Sequence, residues 1–130
     1  MVEVPFPAVA YVPGKTARHP EDWFDAMKAD RETALAAGLA YFERGYFWEC
    51  HEVLEAVWMK TPNPSTERDM VQAVIQLANA GLKLRMDRPN AAARLFGIVR
   101  DLLDRVPDGA RPLGLEPALW RQRLEEMSGA

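Results

Sequence analysis

The sequence predicts an all-α protein, a single-domain bundle of about five helices preceded by an extended Pro-rich N-terminal arm. Three observations lead there. No segment shows a convincing strand alternation, and from about Glu21 onward apolar residues recur at helical spacing. Glycine and proline punctuate that pattern at Gly45, Thr61-Pro62-Asn63-Pro64, Pro89 and Pro107-Asp108-Gly109. The links between the helical stretches are short, which implies antiparallel neighbours.

Residues 1–20 form the arm, because four prolines with Val, Phe and Tyr between them disfavour a helix. Its apolar residues suit packing against the body or a neighbouring subunit. Residues 21–130 form the helical domain. The first helix is expected from about Pro20 to Arg44, with Gly45 as its stop. The second runs from about Phe47 to Lys60 and ends at the prolines that follow. Ser65 or Thr66 caps a third helix reaching about Met86.

Pro89 opens a fourth helix. Its Ala92, Leu95, Phe96, Val99, Leu102, Leu103 and Val106 form an i, i+3, i+4, i+7 stripe. A short fifth helix begins near Glu116-Pro117 and carries Leu119, Trp120, Leu124 and Met127.

Bulk properties narrow the class. The 130 residues fit one domain with ordinary apolar and charged fractions. No apolar run spans a membrane, and the acid and prolines near Met1 do not read as a signal peptide. Cys50 is the single cysteine, so no intrachain disulfide is possible. A cytoplasmic protein is expected. The net charge of −3 disfavours nucleic acid as a partner. Residues 1–80 carry 7 basic and 12 acidic groups and residues 81–130 carry 9 and 7, an asymmetry read as a solvated, ion-paired face.

Chemistry concentrates in the second helix. Glu49, His51, Glu52 and Glu55 fall within seven residues, flanked by Tyr46, Phe47, Trp48 and Trp58. At about 100° per residue, Cys50, Val53, Leu54, Val57 and Trp58 share an apolar face. His51, Glu52 and Glu55 lie opposite, with Glu49 at the margin. Trp48 and Met59 project on the polar side, which suggests that it is at least partly covered.

The third helix is apolar almost all round, from Met70 to Met86, as a central helix should be. Its Gln72, Gln76, Asn79 and Lys83 fall in one narrow strip. Buried amides need partners, since each unmet polar group costs about 1–3 kcal/mol. The two strips are therefore expected to meet in one internal polar cluster.

Several chemistries are open to that cluster. His51 and Glu55 stand one turn apart and can form an acid–base pair. His51 with Glu49, Glu52 or Glu55 could hold a divalent metal that activates water. Gln72, Gln76, Asn79 and Lys83 could bind a small polar ligand, Lys83 meeting an anion. His19, at the end of the arm, is the only further histidine that could fold over the cluster. A purely structural polar network is the bland alternative. Cys50 reads as an inert core thiol, and Tyr41, Phe42, Phe47 and Trp23 as core. Pro13-Gly14-Lys15-Thr16 lacks the first glycine and the context of a phosphate loop.

The run Phe42-Glu43-Arg44-Gly45-Tyr46-Phe47-Trp48-Glu49-Cys50-His51-Glu52-Val53-Leu54-Glu55, then Trp58, Gln72 to Gln76 and Ala92 to Leu95, resembles the helical family of the domain of unknown function 309. The similarity covers about Glu21 to Leu103. It implies an all-α fold of about five helices in a mostly prokaryotic family. Some members of that family carry the label of a predicted metal-dependent hydrolase. The motif falls on Gly45, Tyr46, Glu49, His51, Glu52, Glu55, Trp58, Gln72 and Gln76.

Two positions depart from the family pattern. Leu82-Lys83 stands where a histidine is usual, and Asp87-Arg88 where a Gly-Asn pair is usual. The functional expectation is an internal Glu/His/Gln site that binds a divalent metal or a small polar ligand. The competing expectation is a non-catalytic interaction module, and the aromatic arm suits a homodimer without demanding one.

Overall fold

Local sequence signals set the helix ends. The computed structural model describes residues 5–18 and 29–129. Among these it contains five α-helices, one 3-10 turn and no strand. The first, α1 (Arg31–Glu43), starts later than Pro20. Asp30 takes extended backbone and its carboxylate accepts from the Thr33 N–H at 2.7 Å, so the chain begins a fresh helix there. That backbone hydrogen bond holds the Asp30 carboxyl below its usual range. Trp23 and the expected start at Pro20 lie outside the described residues. Gly45, at φ +78°, turns the chain into α2 (Phe47–Met59).

Ser65 caps α3 (Thr66–Arg85) by accepting from the Arg68 N–H at 3.0 Å. At its other end Asp87 takes φ 60°, and the Arg88 N–H closes on the Lys83 carbonyl at 2.9 Å. Asp87 thus occupies a left-handed position that glycine adopts freely. Pro89 opens α4 (Pro89–Asp104), and Pro117 opens α5 (Pro117–Ser128) after a 3-10 turn at Pro112–Gly114.

Apolar faces then dictate the packing. α3 lies between α2 and α4, α1 covers α2, and α5 closes against α4 and α3. The α4 stripe is buried as expected, apart from half-buried Leu95. On α3, Met70, Val71, Ala73, Val74, Leu77, Ala78 and Ala80 are fully or almost fully buried. Leu84 departs from the expected all-round burial, being 40% exposed near the C-terminal end of α3.

Residues 5–18 contain no helix and lie along α1 and α2. Tyr41 and Tyr46 donate their hydroxyls to the carbonyls of Pro5 and Pro7. Phe6 packs edge-on against both tyrosine rings. Tyr11 packs edge-on against Trp48, and Lys15 pairs with Asp87 at 2.7 Å. No helix among the described residues is long and apolar enough to cross a membrane.

Candidate functional site

Helical periodicity places His51, Glu52 and Glu55 on one surface of α2, and the antiparallel approach of α3 sets Gln72, Gln76 and Asn79 beside it. Between the two helices lies a cavity of about 200 Å³ lined by His51, Glu55, Trp58, Gln72, Ile75, Gln76 and Asn79. His51 Nε2 stands 3.2 Å from Glu55 Oε2, and Nδ1 stands 3.6 Å from Glu52 Oε1. The three residues offer ligand atoms that all lie within 4.8 Å of one another. Nδ1 is a buried atom with no hydrogen-bond partner among the described residues. Asn79 donates to Gln76 Oε1 at 3.3 Å, which leaves the Gln76 amide N–H groups to spend elsewhere.

The two strips therefore meet, but not as an internal cluster. The side chains of Glu52 and Glu55 are 43% and 52% exposed, so the cluster forms an open groove. Carboxylates left at its rim avoid the desolvation cost that enclosure would impose. Met59, expected beneath a cover, is 58% exposed.

Glu49 belongs elsewhere. Two positions before His51 it points to the opposite side of α2, where it is completely buried. Its Oε2 accepts from the Tyr11 N–H at 2.8 Å. Burial, and secondarily the Glu49 charge, push the Tyr41 hydroxyl and the Cys50 thiol well above their usual ranges. Such a thiol stays protonated and unreactive. Lys83 is half-buried but is no part of the cavity wall. It sits one helical turn past Asn79, the last residue that α3 gives to the wall. His19 lies outside the described residues.

The periodicity of α2 puts Trp58 on the apolar face. It packs against the core as expected and also lines the groove, with the Arg68 guanidinium 3.8 Å from its ring centroid. The signal was present in the spacing of His51, Glu55 and Trp58, a repeat of four and then three residues. Ile75, a core residue by pattern, supplies an apolar patch of the same wall.

A larger cavity of about 350 Å³ lies at the turn between α4 and α5, where Arg111 and Glu116 form an ion pair. The family model described as a domain of unknown function (DUF309) matches residues 35–95, from within α1 through α2 and α3 into α4. That match spans the stretch that builds the groove. No curated protein and no solved structure matches the chain.

Proposed function

We propose that the groove between α2 and α3 binds a divalent metal ion or a small polar ligand, with His51, Glu52 and Glu55 as the residues that would hold the metal. The observation that carries this reading is the convergence of three ligand atoms within 4.8 Å at the groove, one of them on a histidine whose Nδ1 is buried and orphaned. At 3.6 Å, the Nδ1–Glu52 separation is too long for a hydrogen bond. It does suit two ligands of one cation, each about 2.0–2.2 Å from it. The donor set of one imidazole and two carboxylates fits a borderline or hard divalent ion.

A metal bound there would supply Lewis acidity and an activated water, in keeping with the hydrolase label of some family members. The protein's own part is to orient His51 between two carboxylates and to line the adjoining wall with amides. Gln72, Gln76 and Asn79 would contact a ligand rather than the metal, because carboxamides are poor ligands for transition metals.

A second reading, a non-catalytic module with a structural polar surface, draws support from the His51–Glu55 contact. An i, i+4 pair at 3.2 Å is a common helix-surface interaction that needs no ion. A thermal-shift titration of chelator-stripped protein with zinc, manganese, nickel and magnesium separates the two. The metal reading expects a saturable rise in Tm that His51→Ala abolishes. No rise with any of the four ions, or an equal rise in His51→Ala, leaves the structural reading.

A further inference from the structure

We infer that the groove is built for one small, uncharged, planar ring bearing adjacent hydrogen-bond donors and acceptors, a cyclic amide or ureide of the pyrimidine-base kind. This rests on the reading of the α2–α3 groove as a binding site. Size comes first. A cavity of about 150 Å³ accommodates benzene, whereas drug-sized ligands occupy about 300–1,000 Å³. At about 200 Å³ the groove takes a single six-membered ring with small substituents.

Charge comes next. No lysine or arginine among the described residues lines the cavity, and its one acidic wall residue, Glu55, would repel an anion. Arg68 covers part of Trp58 but does not reach the cavity wall. A phosphate or carboxylate group would find no lysine or arginine to neutralise it there.

Shape and hydrogen bonding complete the class. Trp58, whose ring carries the Arg68 guanidinium on one face, and the edge of largely buried Ile75 supply the apolar part of the wall, against which a planar ring packs. Three carboxamides present donors and acceptors along the same wall. Gln72 makes no side-chain hydrogen bond among the described residues, and Gln76 is oriented by Asn79 so that its donor stays available. A carboxamide reads a neighbouring donor and acceptor on a ring edge in bidentate fashion, as glutamine and asparagine read adenine. Hydroxyls of a puckered sugar, spread out of one plane, match this set less well.

The test titrates ¹⁵N-labelled protein in chelator with uracil, with uridine monophosphate and with glucose. The Trp58 indole N–H resonance is identified by its loss in Trp58→Phe. Uracil is expected to move that resonance saturably and to bind at least tenfold more tightly than the other two probes. Gln76→Leu and Gln72→Leu, on residues outside the hydrophobic core, should each weaken uracil at least tenfold while leaving the rest of the spectrum in place.

The ligand class is overturned if glucose or the phosphorylated base binds as tightly as uracil. It is overturned equally if none of the three moves Trp58. A parallel melt with zinc keeps the two readings apart. A zinc-dependent rise in Tm with no ring binding discards the ligand class alone. Uracil binding without any metal effect discards the metal alone.

Discussion

The Tyr11 N–H donates to Glu49 Oε2 across 2.8 Å, joining the N-terminal segment to a carboxylate that α2 buries completely. Glu49→Ala removes this acceptor and leaves a void. The unmet N–H costs about 1–3 kcal/mol, with a cavity contribution on top. Urea unfolding should show a lower midpoint at unchanged slope. Because Glu49 faces away from His51, any metal-induced rise in Tm should survive the substitution. A variant as stable as the parent would refute the latch, and a lost metal effect would refute the separation of the two sites.

Glu52→Gln and Glu55→Gln should behave in the opposite way. Both side chains are about half exposed, so each change should move stability by no more than about 0.5 kcal/mol. A metal at 100 times its Kd stabilises the parent by about 2.7 kcal/mol. Most of that gain should disappear in either variant. If the variants lose stability without metal and keep the metal effect, the groove is a structural network.

Two glycine substitutions on helices should have opposite signs. A Cβ at Gly38 in α1 would come within 2.4 Å of Leu54 Cδ2, a fully buried side chain. Overpacking of about 1–3 kcal/mol should outweigh the helix-propensity gain of up to about 1 kcal/mol. At Gly97 in α4 nothing lies within 4 Å of the added atom. Gly97→Ala should therefore stabilise by about 0.5–1 kcal/mol. Thermal melts that rank the pair the other way would contradict the α1–α2 packing.

Stability should fall on the alkaline side. The buried Cys50 thiol and Tyr41 hydroxyl have folded-state values raised above those of the unfolded chain. Above the ordinary thiol range, near pH 9.0, the unfolded chain releases a proton that the folded chain keeps. The stabilisation is thus fully present below that pH and is lost as pH rises. Urea midpoints between pH 8 and 10.5 should decline, and Cys50→Ala should flatten the first part of the decline. Native protein should also resist iodoacetamide at pH 8. Rapid alkylation of folded protein would contradict the burial.

Much of this architecture was legible in the residues. Gly45, Ser65, Pro89 and Pro117 mark helix ends through φ restriction or capping, which are local properties of a few residues. One helix running unbroken through Asp30 is what the apolar spacing predicts, and the capping bond from Thr33 to Asp30 is the local detail that the spacing does not show. The two polar strips were visible as well, since 3.6-residue periodicity assigns each side chain an angle around its own axis.

What the sequence alone determined is therefore the all-α class, the helix order, and which residue types share a face on α2 and on α3. Only the tertiary structure decided which of those faces is covered. The segment of residues 5–18 buries Glu49 and shelters Trp48, while α3 leaves Glu52 and Glu55 at an open rim and turns Trp58 into a groove wall. The physical reason is that an angle on one helix is set by local geometry. Burial depends instead on where other elements approach, and those contacts join residues as far apart as Tyr11 and Glu49.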